Sequence, residues 1–328
     1  MTAKRGVPQF ESREPRQLVI LSGKGGTGKT AVAAAFAHLA HAGPSPIPAV
    51  MVDADVDAAN LELVLGPQVL ERHDFTGGSV AWIDPERCSG CAVCEDVCRF
   101  AAIQVAGDSG AYRVDPLACE GCATCYHQCP DEAIRMEPQL AGRWFRSRSR
   151  YGPLFHARLY PAQENSGKLV SLAKQQARRA AGAEGYPLLI VDGPPGIACP
   201  AIAAAAGADL ALIVGEPSVA GIHDLERALE MTAHFQLRSL VCVNKADLNS
   251  EGVEQIERSC SARAVELVGC IPFDEAVTAA MVQGQPVTAH QPDSPAGRAL
   301  AALWHRLTDF LDGRPAAASS DATYPERS

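Results

Sequence analysis

Gln17-Leu18-Val19-Ile20-Leu21-Ser22-Gly23-Lys24-Gly25-Gly26-Thr27-Gly28-Lys29-Thr30 is the stretch that decides the fold. An apolar run that reads as a buried strand, Gln17–Ser22, ends in a glycine-rich turn, and Gly28–His41 continues as a helix. Gly23, Gly28, Lys29 and Thr30 satisfy G-x4-G-K-[ST] in the strand–loop–helix setting that this pattern requires. Glycines let backbone N–H groups close round phosphates, and the helix N-terminus favours the same negative charge. Gly23, Lys24, Gly25, Gly26, Thr27, Gly28, Lys29 and Thr30 are therefore candidate phosphate ligands. Lys29 would reach the β/γ-phosphates, and the Thr30 hydroxyl would serve Mg²⁺.

The rest of the chain repeats the rhythm. Ala49–Asp53, Pro187–Asp192, Ala208–Gly215, Ser239–Asn244 and Ala264–Ile271 are apolar, strand-like runs; Gln163–Ala181, Gly221–Phe235 and Pro295–Leu311 read as helices. Strands alternating with helices predict an α/β fold, a doubly wound and mainly parallel sheet. The 328 residues and net charge of −9 suit one large α/β domain plus a small module and argue against a nucleic-acid or anionic-membrane surface. Met1–Arg16 is polar and has no signal-peptide pattern, and no run reaches the ~20 apolar residues of a membrane span. The expected compartment is a reducing cytoplasm.

Between Trp82 and Glu137 the composition changes. Cys88, Cys91, Cys94 and Cys98 write Cys-x2-Cys-x2-Cys-x3-Cys, and Cys119, Cys122, Cys125 and Cys129 write it again 31 residues later, followed by Pro130. Asp84-Pro85 recurs as Asp115-Pro116, and Ala102-Ile103 as Ala133-Ile134. This spacing is that of bacterial ferredoxins with two [4Fe–4S] clusters, in which the fourth cysteine of each run serves the other cluster. One cluster would take Cys88, Cys91, Cys94 and Cys129; the other would take Cys119, Cys122, Cys125 and Cys98. Zinc is the rival ligand of paired Cys-x2-Cys, but its structural sites close with four ligands and do not call for two contiguous runs of four. Arg99 stands where proline usually follows the fourth cysteine, either exposed or close enough to raise one cluster's potential. The organisation expected is a first nucleotide-domain segment 1–81, an α+β ferredoxin-like insertion 82–137, a second nucleotide-domain segment 138–312 and a disordered tail 313–328.

Lys24 adds a second lysine to the loop, and Lys-Gly-Gly-x-Gly-Lys-Thr resembles the deviant Walker A of the MinD/ParA/nitrogenase iron-protein superfamily. The resemblance runs from about Leu18 to Leu311 and includes Asp192-Gly193-Pro194-Pro195-Gly196, Glu216-Pro217-Ser218 and Ile271–Ala280. With the cysteine repeat, the chain is similar to those members that carry an inserted ferredoxin domain. The resemblance implies ATP, Mg²⁺ and a homodimer in which Lys24 reaches the partner's nucleotide; a solvated loop lysine is the plainer reading. It further implies that Asp55 orients the attacking water, that Asp53 lies near the Mg²⁺ shell and that Asp192 holds a magnesium-bound water. Asn244, Asp247 and Pro272 are implied at the base. Asn244-Lys245-Ala246-Asp247 also resembles the guanine-reading run of GTPases, so GTP stays open beside ATP. Cys199, seven residues after Asp192, is either a cluster ligand shared across a dimer, as in the nitrogenase iron protein, or a small buried thiol.

Three functions are compatible with these motifs. The first is an ATP-hydrolysing protein that couples nucleotide state to electron transfer toward an unknown redox or regulatory partner. The second is a cluster carrier of the Mrp type, which closed four-thiolate sites disfavour. The third is a MinD-like switch, whose amphipathic membrane-binding tail has no counterpart in Ser320–Ser328.

Overall fold

The computed structural model describes residues 14–43, 46–107, 110–161, 163 and 165–311. The predicted tail and most of the polar N-terminus lie outside them. The elements run β1 (Arg16–Ser22), α1 (Lys29–Ala42), β2 (Ala49–Asp53), α2 (Leu61–Leu65), β3 (Gln68–Ile83), α3 (Val93–Asp96), β4 (Ile103–Val105), β5 (Tyr112–Val114), α4 (Thr124–Gln128), β6 (Ile134–Ser149) and β7 (Gly152–Leu159). They continue with α5 (Ser166–Glu184), β8 (Leu188–Pro195), α6 (Cys199–Ala205), β9 (Leu210–Gly215), α7 (Val219–His234), β10 (Ser239–Asn244), α8 (Ser250–Ala262), β11 (Glu266–Ile271), α9 (Glu275–Val282), α10 (Val287–His290) and α11 (Pro295–Leu311).

Nine strands form one sheet in the order β11-β10-β9-β1-β8-β2-β7-β6-β3. From β11 to β7 the neighbours are parallel; β6 and β3 then add antiparallel. This is the α/β, mainly parallel architecture expected. The parallel strands read as continuous apolar runs because both faces are covered. Leu18 and Ile20 of β1 point to a core shared with α1, α2 and α11, whereas Val19 and Leu21 point to one shared with α5, α6, α7 and α8. On the first side Phe36 of α1 meets Trp304 of α11, ring centroids 5.1 Å apart.

Residues 68–81 and most of 142–161, which no apolar run marks in the sequence, are strands. β3 and β6 pair from Gln68↔Arg148 to Ile83↔Ile134, a long antiparallel ribbon whose root is bound to β7. Residues 84–133 hang from its far end. There the repeat is legible in the backbone: Ala92 and Ala123 have φ 66° and 62°, and Ala101 and Glu132 have φ 49° and 50°. The halves cross-tie through Asp84 N–H to Ala133 O (2.8 Å) and Asp115 N–H to Ala102 O (2.7 Å). The short β4–β5 hairpin and the tip of the ribbon are counterparts. Ala81, Ile83 and Ile134 of the ribbon bury in one small core with Cys94, Ile103, Tyr112 and Cys125. Gly121 sits so close to the ribbon that a Cβ there would lie 2.2 Å from Ser79 O, so only glycine fits.

Candidate functional site

The turn after β1 folds back on the C-terminal ends of the central strands, where open α/β sheets place their ligands. Gly28 has φ +95°, a conformation that favours glycine, and a Cβ would lie 2.3 Å from Asn244 Nδ2, so any other residue would displace Asn244. Asn244 Nδ2 donates to Thr27 O at 2.8 Å, and its Oδ1 accepts Lys245 N–H at 3.0 Å. Asp247 Oδ1 accepts Phe273 N–H at 2.6 Å, which draws the segment containing Pro272 toward the end of β10. Asn244 thus meets the loop itself, and Asp247 meets the residue that follows Pro272. Gly23 lies against the backbone of Asp224 on α7, while Gly25 and Gly26 have open space where a Cβ would be.

Lys29 is buried and its Nζ donates to Ser22 Oγ at 2.7 Å. Burial lowers its pKa, and the carboxylates of Asp192 and Asp55 oppose that. Asp53, the last residue of β2, and Asp192, within β8, are sheet partners. Both are about 1% exposed. Asp53 Oδ1 and Oδ2 accept the N–H groups of Asp55 (3.1 Å) and Leu61 (3.0 Å). Burial, then the charge of Asp192, pushes the Asp53 carboxyl well above the ordinary range. Burial likewise pushes Asp192 up to about 7, against a hydrogen bond from Thr30 and the charge of Lys29. Asp55, half-buried in the 53–60 loop, is also raised, chiefly by burial.

Two buried carboxylates side by side are unfavourable until a cation or a proton joins them. Asp192 Oδ1 and Thr27 Oγ1 are moreover buried without a hydrogen-bond partner. The site has the polarity and the unmet bonding to accept Mg²⁺ and phosphate oxygens. A stability test follows. The raised Asp192 pKa means that the folded protein must take up a proton between about pH 4 and 7, so its stability falls as pH rises through that window. Asp192→Asn removes this group's share of the slope and leaves that of Asp53, which burial also raises. We expect the metal-free variant to gain on the order of a few kcal/mol over the parent at pH 8, and little at pH 4. Thermal melts across that range, without Mg²⁺ or nucleotide, read this directly; parallel curves would refute it.

Lys24 lies outside the buried cluster. Its Nζ pairs with Glu216 and stands 3.4 Å from Ser218 Oγ, which caps α7. Lys245 Nζ reaches the other oxygen of Glu216 at 3.5 Å and Gly26 O at 3.3 Å. The sequence reading quoted Glu216 and Ser218 without a role and missed Lys245. Its position inside the Asn-Lys-x-Asp run was the available signal. Cys199 is exposed at the start of α6, so the buried-thiol reading of it does not hold. α6 itself is anchored by Lys174, whose Nζ donates to Ala203 O (2.6 Å) and Ala204 O (3.0 Å) and whose pKa burial lowers to about 8.

In the segment 84–133 the eight repeat cysteines sort into two cavities. One, of about 350 Å³ with its mouth included, is lined by Cys98, Cys119, Cys122 and Cys125; the other, of about 280 Å³, by Cys88, Cys91, Cys94 and Cys129. Burial pushes the Cys94 thiol up to about 11 and also raises Cys125. A hydrogen bond with Thr124 lowers Cys122. Among the described residues, no three His, Cys, Asp or Glu side chains converge tightly enough to hold a single ion.

Residues 18–287 match the CobQ/CobB/MinD/ParA nucleotide-binding domain. The chain belongs to that family. An uncharacterized protein of Methanocaldococcus jannaschii is 33% identical over 234 residues, covering 71% of this chain and 79% of that one. An uncharacterized ATP-binding protein of the same organism is 29% identical over 123 residues, 37% of this chain and 46% of its own. In fold, the chain is similar to the septum site-determining protein MinD of Pyrococcus horikoshii, solved with Mg-ADP (TM-score 0.56, 19% identity, 91% of this chain and 98% of that one). It is also similar to a ParA family ATPase of Chlorobium tepidum (TM-score 0.51, 19% identity, 88% and 98%). Among the described residues no helix is long and apolar enough to cross a membrane.

Proposed function

We propose that this protein binds and hydrolyses ATP and couples its nucleotide state to electron transfer through two [4Fe–4S] clusters held by residues 84–133. The observation that carries the reading is the sorting of the cysteines. Each cavity draws three from one run and the fourth from the other run, as crossed cubane ligation requires. A repeat folded for another purpose has no reason to exchange Cys98 and Cys129. When bound, the clusters would supply one-electron redox chemistry at these two places, and the protein would supply the thiolates and the apolar wall of Ala81, Ile83, Ile134 and Met136.

At the nucleotide, Lys29 would exchange Ser22 for the β/γ-phosphates, and Thr30, Asp53 and Asp192 would hold Mg²⁺, directly or through water. Asp55 would orient the attacking water. ATP is favoured over GTP by the deviant loop and by the likeness to a protein described as ATP-binding. A redox or regulatory protein would be the partner of residues 84–133.

Anaerobically purified protein should titrate with cluster potentials that shift when ATP is added, and Lys29→Ala should lose the shift together with nucleotide binding. Potentials unmoved by saturating nucleotide in the parent protein would sink the coupling, while iron and sulfide content would still report on the clusters.

A further inference from the structure

The 53–60 loop and the ribbon are joined by a short chain of contacts that the reactions above leave unused. Asp53 Oδ2 accepts Leu61 N–H, the first residue of α2. The next residue, Glu62, pairs with Arg158 on β7 and places Oε2 3.0 Å from Nδ1 of the buried His156. On the other side of the ring, Nε2 stands 3.0 Å from Oγ of the buried Ser147 on β6. Beside a carboxylate the ring proton belongs on Nδ1, so Nε2 accepts from Ser147. Yet at that ion-pair distance Nδ1 makes no hydrogen bond with Glu62 or with any other group. A buried donor without a partner is costly, and native interiors rarely leave one without reason.

Resting on the nucleotide reading above, we propose that Glu62, His156 and Ser147 form the joint by which the nucleotide site moves the ribbon and its cysteine module. A ligand that draws Asp53 away from Leu61 N–H releases the start of α2. A small rotation of α2 then aligns Glu62 with Nδ1 and completes the bond, so the contact has two arrangements of different energy, as a switching element requires. Ser147 carries that change into β6. The strand continues from Ser147 to Ile134 in the module's core, about 40 Å at ~3.3 Å per residue, with register shifts opposite Phe75–Gly78, so a tilt of about 5° at the root displaces the tip by up to about 4 Å. The tip cannot swivel independently, because Gly121 is packed against Ser79 and Ile83 and Ile134 belong to the module's core. Arg146 braces the root, bonding Glu71 on β3 at 2.8 Å and Glu184 on α5 at 2.5 Å. The movement therefore reaches the module along the paired strands, which can bend where the register shifts between Phe75 and Gly78.

Hydrogen exchange of the full-length protein, with and without a non-hydrolysable ATP analogue, tests this without requiring turnover. In the parent protein the analogue should slow exchange in 23–30 and change it in 61–65, 68–83 and 134–149. Glu62→Ala and Ser147→Ala should keep nucleotide affinity within about threefold and keep protection of 23–30, yet lose the ribbon response. Glu62→Gln retains an oxygen that can accept from Nδ1 and should restore it. Should 23–30 stay unprotected in the parent protein, the nucleotide reading itself fails. Protection there with a silent ribbon, or a ribbon response undiminished in both alanine variants, overturns the joint alone.

Discussion

Cys129→Ala should halve the iron of the anaerobically prepared protein, from about eight atoms per chain to about four, and the clusters lost should be those of one cavity only. Cys129 sits in the second run but lines the cavity of Cys88, Cys91 and Cys94. Removing it leaves three thiolates there and four at Cys98, Cys119, Cys122 and Cys125. Cys98→Ala should do the converse, emptying the cavity of the second run although Cys98 belongs to the first. The double change Cys98→Ala with Cys129→Ala should leave almost no cubane. Uncrossed ligation predicts a different pattern: Cys91→Ala and Cys98→Ala would then damage the same cluster. Iron and sulfide analysis combined with electron paramagnetic resonance of the reduced protein separates the two, because each single variant should retain one unperturbed signal. Stoichiometric zinc in the parent protein, or identical spectra from Cys91→Ala and Cys98→Ala, would contradict crossed cubanes.

Much of this architecture was legible in the chain, and the divide is physical. β1, its glycine turn and α1 are written in contiguous residues, since apolar burial, backbone freedom and the lysine–threonine pair are all local. The cysteine repeat is equally local, its spacing being set by the covalent chain. Asp53 and Asp192 are singled out by the family resemblance of the runs that contain them, and their pairing in adjacent strands needed the sheet. The ribbon was not legible. β3 is an edge strand, and from Gln68 to Asp74 all its residues are exposed, so it shows no alternation of apolar and polar positions. Its register comes from β6, with Gln68 paired to Arg148, and such distant pairing leaves no trace in a short window. The same reason hid Glu216 and Glu62. Glu216 meets Lys24 from a distant stretch of the chain because β9 lies beside β1, and Glu62 meets His156 only because β2 and β7 are neighbours.

Lys24→Ala should leave ATP binding nearly intact while lowering kcat at least about 10²-fold and abolishing an ATP-dependent dimer, by analogy with the gain from a cation supplied in trans to transferring phosphates. Within one chain Lys24 would add little at the β/γ-phosphates, which Lys29 is placed to serve. Lys29 is the lysine at the loop's buried end, whereas Lys24 Nζ is held by Glu216 beside Ser218. Glu216 is well equipped for that hold. Burial works against its charge, but hydrogen bonds with Lys24 and Ser218 and the charges of Lys24 and Lys245 keep its carboxyl below the usual range. The pair is part-exposed, with Lys24 at 30% and Glu216 at 14% of side-chain accessibility, so screening keeps it weak enough to be exchanged for a stronger anion. A triphosphate presented by a facing copy is such an anion, and a two-fold contact would give each chain the same exchange. Nucleotide and partner should then strengthen one another's binding by the same factor. Sedimentation of Asp55→Ala, expected to retain ATP unhydrolysed, should show a dimer with ATP and a monomer without it. Adding Lys24→Ala should return it to monomer while leaving nucleotide affinity within a few fold. A double variant that dimerises as well as Asp55→Ala would place Lys24 permanently on Glu216 and remove it from the reaction.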